Sequence, residues 1–138
     1  MIIVVDTNII ISAMIKDSVT RKVILQSGLN FVYPEISLKE LNNHKQEILD
    51  KSGYDEKTFE VILNKLLEYI NLVPLEIIKI KLQKSKEIMK NININDATFL
   101  ATALVLKDSI IWSDDKDFEK QKLIKVLKTK GMLRLLEK

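Results

Sequence analysis

The stretch "IIWSDDKDFE", residues 110–119, runs an apolar segment of strand character straight into Asp114, Asp115 and Asp117. Carboxylates this close repel one another, so the stretch has two readings: a solvated turn, or a set of acids facing a cation. The second reading needs partners from elsewhere in the chain. Working outward from "SIIWS" (109–113), comparable short runs occur at "IIVVD" (2–6), "NFVYP" (30–34), "INLVPL" (70–75) and, more weakly, "LIKVLKT" (123–129). Between them lie helical patterns at 9–15, 20–27 (ending before Gly28), 37–51, 55–69, 75–90 and 96–107, with a final turn or two from Thr129. Asp55 and Thr58 open a capped helix whose apolar stripe is read as Val61, Leu63, Leu66, Leu67 and Ile70. Strands alternating with helices predict an α/β fold, a three-layer α/β/α arrangement around a parallel sheet of about five strands.

The chain has 138 residues, the size of one domain, and residues 1–138 are read as a single unit. Cysteine is absent and His44 is the sole histidine, which excludes thiolate and multi-histidine metal sites. The start, "MIIVVDTN", has no basic leader and no cleavage site, and no apolar run approaches the roughly 18 residues of a membrane helix. A cytoplasmic protein with no membrane association is expected. The formal net charge of +3 conceals an uneven distribution. Residues 116–138 hold eight Lys or Arg against three acids, and "KIKLQKSKEIMK" (79–90) holds five lysines against one glutamate. Basic stretches flanking an acidic site suit a nuclease, because the phosphate backbone is held along one surface while a cation works at another.

The expected topology gives the acids a geometry. In open parallel sheets, ligands bind beyond the carboxyl ends of the strands, where the connections diverge. Asp6 closes the first strand and Asp115 follows the fourth, so neighbouring strands would bring the two carboxylates to one edge. Asp96, in "NINDATFLATAL", opens a helix whose dipole favours negative charge, and Glu40 lies in "PEISLKELNNHKQEI" after the second strand. Each alone has an ordinary explanation as a cap or an exposed helical acid. Together they suit magnesium or manganese, which take oxygen ligands supplemented by water and substrate phosphate.

These blocks resemble the PIN-domain nucleases, in particular a small archaeal and bacterial type. The likeness rests on "VVDTNIIISA", "YPEISLKELNNHKQEI", "NDATFLATAL" and "IWSDDKDFEKQ", in order and over nearly the whole chain. It implies Asp6, Glu40, Asp96 and Asp115 as the catalytic and metal-binding acids, with Asp117 as an additional ligand, direct or through water. It also implies that Asn8 and Ser113 hold a carboxylate or phosphate in orientation. The chain departs from the pattern before Asp96, where relatives often carry another acid and Asn93 and Asn95 stand instead. Glu35, Glu47 and Asp114 are the nearest competitors for the four acids. The implied activity is an Mg2+- or Mn2+-dependent endoribonuclease, often the toxin of a toxin and antitoxin pair. Its implied partners are an RNA substrate, a second copy in a homodimer and a small antitoxin protein. The alternative is a catalytically weak PIN domain that binds RNA or a protein partner. A receiver domain or a haloacid-dehalogenase phosphatase would want a second acid beside Asp6, and position 8 is Asn.

Overall fold

The computed structural model describes residues 1–15 and 18–137; Lys138, the last member of the basic segment, lies outside them. Five strands form one sheet: β1 (Ile2–Val5), β2 (Asn30–Pro34), β3 (Ile70–Val73), β4 (Ser109–Trp112) and β5 (Val126–Leu127). All neighbours pair in parallel, in the order β3-β2-β1-β4-β5. The central strand β1 is held by Ile3 opposite Phe31 on one side and by Val5 opposite Trp112 on the other. Its apolar run is buried almost throughout, as expected for a strand covered on both faces. The chain moves outward from β1 through β2 to β3, then returns to lay β4 against the other side of β1. The carboxyl ends of β1 and β4 therefore flank the point where the connections diverge.

Helices complete the three layers. In chain order these are α1 (Thr7–Ile15), α2 (Val19–Gln26), α3 (Leu38–Asn43), α4 (Lys45–Ser52), α5 (Glu56–Leu67), α6 (Leu75–Met89), α7 (Ala97–Val105) and α8 (Thr129–Leu136). Helix α7 packs on β1, β2 and β4 and against α6, while α1 packs with α2, α3, α4 and α5. α1 and α7 are apolar on most sides, with Ile9, Ile10, Ala13 and Met14 of the one and Phe99, Leu100, Ala101 and Ala103 of the other buried. These two interior helices begin immediately after Asp6 and Asp96, so the packing that fixes them also fixes both acids.

Three local expectations are modified. The helix expected over 37–51 is broken at His44 into α3 and α4. Asn42, Asn43 and His44 are weak helix formers, and the His44 amide bonds back to the Leu41 carbonyl at 3.1 Å, ending the first piece. α4 then closes on Gly53, whose φ of +75° suits glycine and lets its amide reach the Leu49 carbonyl. Asp55 caps α5 as expected, accepting from the Thr58 amide at 2.8 Å. The buried stripe, however, runs through Phe59, Ile62, Leu63 and Leu66, the i, i+3, i+4, i+7 set, and leaves Val61 facing solvent. β5 is two residues long rather than seven, because Gln121 holds the preceding segment in a turn.

Candidate active site

At the carboxyl edge of the sheet, the Asp6 amide donates to the Trp112 carbonyl at 3.1 Å, locking the ends of β1 and β4 together where both chains leave the sheet. Asp6 is only 4% exposed. Its Oδ2 accepts from the Ser113 hydroxyl at 2.8 Å, and the same hydroxyl oxygen accepts from the Asp115 amide at 3.0 Å. Ser113, itself fully buried, thereby ties the acid of β1 to the loop after β4. Asp115 caps the next turn, its Oδ1 accepting from the Asp117 amide at 2.9 Å. Phe118 plugs that turn into the core against Phe99.

Asp96 enters from the other side, at the start of α7. Asp96, Asp115 and Asp117 each offer a carboxylate oxygen within 4.8 Å of one another. Asp96 Oδ2 is buried and has no hydrogen-bond partner among the described residues. Its pKa is pushed from 3.8 up to about 7, first by burial and then by the charges of Asp6, Asp115, Asp117 and Glu40. That of Asp6 rises from 3.8 to about 6, chiefly through burial, with Glu40 and Asp115 adding to it and the Ser113 hydroxyl opposing it. The fold thus brings the five acids of the sequence reading, Asp6, Glu40, Asp96, Asp115 and Asp117, within electrostatic reach of one another.

The remaining residues separate. Asp114 is exposed, but its two oxygens accept from the Thr129 amide and hydroxyl, each at 2.8 Å, securing the start of α8. Glu47 pairs with His44 and Lys51 on the surface of α4. Glu35 lies on the far rim with Ile36 and Glu76. Asn8 is exposed on the first turn of α1, with no hydrogen-bond partner for its side chain among the described residues. Asn93 donates its side-chain amide to Asp117 Oδ2 at 3.3 Å. Lys120 lies 3.3 Å from Asp117 Oδ1.

One contributor to the site is not evident in the sequence. Tyr33, fully buried in β2, bonds through its hydroxyl to Thr7 Oγ1 at 2.7 Å and donates to the Ser37 carbonyl at 2.9 Å. Burial raises its pKa further above the usual phenol range, the Thr7 hydrogen bond opposes this, and Glu40 and Asp6 add to it. It remains a neutral phenol that joins the start of α1 to the turn leading into the Glu40 helix. Its only sequence signal is a hydroxyl-bearing residue in an otherwise apolar strand.

A family model for the PIN domain matches residues 4–135. The chain belongs to the PIN domain family. Comparison with curated proteins and with solved structures gives no match. PIN domains are in general metal-dependent nucleases, and the acids of this one suit that chemistry on their own terms. Every donor in the cluster is a hard carboxylate oxygen, the Asp96 oxygen is buried without a partner, and two of the acids ionise with difficulty unless a positive charge joins them. Among the described residues, no helix is long and apolar enough to cross a membrane.

Proposed function

We propose that this PIN domain is a divalent-metal-dependent endoribonuclease that hydrolyses RNA phosphodiester bonds, with Mg2+ or Mn2+ as its ion. Asp6, Asp96, Asp115 and Asp117 would hold the ion, with Glu40 direct or through water. When bound, the ion offsets the negative charge that grows on the phosphate and makes water a better nucleophile. The chain's residues do the rest. The Ser113 hydroxyl keeps Asp6 Oδ2 in place and favours its ionised form. Tyr33 and Thr7 hold the β2 and α1 ends of the site together. An acid of the cluster orients the attacking water and accepts its proton, the task for which a positioned carboxylate is suited. Attack by water, rather than by the ribose hydroxyl, leaves a 5′-phosphate and a 3′-hydroxyl.

The observation that carries this reading is the unpartnered, buried oxygen of Asp96 among Asp115 and Asp117. A buried acceptor with no donor is costly, and a cation is the partner that all three acids could share. RNA as the substrate, a role as the toxin of a toxin–antitoxin pair, a homodimeric state and a small antitoxin that places an Arg or Lys in the acidic groove all follow the family resemblance, and cytoplasmic residence follows the sequence reading. Incubation of a mixed RNA pool with Mn2+ or Mg2+ tests the activity. Cleavage that stops on chelation and leaves 5′-phosphate ends is expected, and cleavage that survives chelation would sink the reading.

A further inference from the structure

The surface around the acid cluster is electrostatically lopsided. On the β2–β3 side it carries Glu35, Glu40 and Glu76, with Lys39 in their midst. On the β4–β5 side, the segment that leaves the carboxyl end of β4 turns back along the outer edge of the sheet to enter β5 parallel to β4, and it carries Lys116, Lys120, Lys122, Lys125 and Lys128 from the acid cluster down that edge. Lys120 lies 3.3 Å from Asp117, so this basic side begins where the acid cluster ends. Glu119, the acid among these lysines that lies outside the cluster, is already paired with Lys128 at 3.8 Å.

The segment is also built rather than loose. Gln121 is 5% exposed, and its side-chain amide donates to the Phe118 and Ile124 carbonyls at 2.9 and 2.7 Å. Its carbonyl oxygen accepts from the Leu123 and Ile124 amides, each at 3.0 Å. A buried polar side chain satisfied this fully holds one loop shape. That shape leaves a concavity of about 360 Å³ lined by Lys122 and Lys125 with the Lys128-paired Glu119, and it presents Leu123 to solvent at 54% exposure. Among the described residues β5 pairs only with β4, which leaves its outer edge beside the same concavity without a partner strand.

We propose that this β5 edge is the track for the sugar–phosphate backbone of the nucleic-acid substrate. Lys122 and Lys125 contact phosphates, Lys120 leads the strand toward the acid cluster, and Leu123 packs against a base. The acidic β2–β3 rim repels the backbone and so leaves the strand a single favoured direction of exit. The proposal deepens the nuclease reading by naming where its substrate lies.

The test is metal-free binding of a fluorescent, unstructured RNA of about 20 nucleotides to the full chain in EDTA, across a range of salt concentrations. A single strand loses about 0.7 of log–log salt slope per phosphate contact removed. Lys122→Gln with Lys125→Gln is therefore expected to flatten the slope by about 1.4 and weaken binding at 0.1 M salt by about 25-fold, or ten to the power 1.4. Both lysines are exposed, so the fold should survive, and an unchanged melting temperature checks that. Lys79→Gln with Lys84→Gln on α6, the rival basic face, should leave the slope unchanged. An unaltered slope in the β5 pair, or an equal loss in the α6 pair, overturns the track. Because binding is read without metal, a wild type that binds this way but cuts nothing would sink the nuclease reading and spare the track.

Discussion

Asp96→Asn should stabilise the metal-free protein near pH 8 while removing its response to divalent ions. In the folded chain the pKa of Asp96 rises from 3.8 to about 7, because burial and four neighbouring acids oppose its ionisation. An acid whose folded pKa is raised binds more protons folded than unfolded between those two values. Its contribution to stability is thus full below about pH 4 and is lost as pH climbs through about 7. The full displacement corresponds to about 4 kcal/mol at roughly 1.4 kcal/mol per pH unit. Asp96 is partly exposed and its neighbours are screened by solvent, so about 2 kcal/mol is the working figure. The asparagine amide adds a donor that the neighbouring carboxylates can accept. For a domain of this size the gain is about 6–10 °C in melting temperature. The assay is thermal unfolding in EDTA at pH 5 and pH 8, followed by circular dichroism. Wild type should melt lower at pH 8 than at pH 5, and Asp96→Asn should show a much smaller difference. A variant less stable than wild type at pH 8, or one with the same pH dependence, refutes the argument that the acids repel in the absence of a cation.

Other outcomes follow from single contacts. Ser113→Ala removes the hydrogen bond that favours ionised Asp6, and Mn2+ affinity by calorimetry should fall by about 10- to 100-fold, as for other partners of metal ligands. Mn2+ binding to wild type should weaken and release more protons as pH drops from 8 to 5, because Asp6 and Asp96 must give up protons held to about 6 and about 7. Gln121→Ala strips partners from two amides and two carbonyls around the β5 turn and should cost about 2–3 kcal/mol in urea unfolding. Asp114→Ala should cost about 1 kcal/mol by freeing the start of α8, with little effect on metal binding.

The convergence of the acids was legible because they sit where strands end and helices begin. Asp6 ends an apolar run, Asp96 opens an alanine-rich helix and Asp115 follows "IIW"; parallel topology then brings such positions to one edge. Choosing Asp115 over Asp114 rested on the resemblance. The structural reason is that Asp114 is drawn to Thr129, fifteen residues away, a contact no local pattern encodes. The α5 stripe was misplaced for a related reason. Val61 and Phe59 are both apolar, and tertiary packing on the sheet selects the face that buries the larger ring. The break at His44 has no Gly or Pro to mark it, and β5 is curtailed by Gln121, whose polar side chain reads as a surface residue but is buried. Tyr33 escaped notice because its partners Thr7 and Ser37 meet it only in the folded chain.

The central claim is that the acid cluster holds a divalent ion and that this ion serves RNA cleavage. Its most direct test is a side-by-side digestion of RNA by wild type and Asp96→Asn, each purified identically, with Mn2+ and with EDTA. Cleavage by wild type with Mn2+ alone, and none by a folded Asp96→Asn, is the predicted result. Equal cleavage by the two proteins would contradict it, placing the activity at another site or in a contaminant.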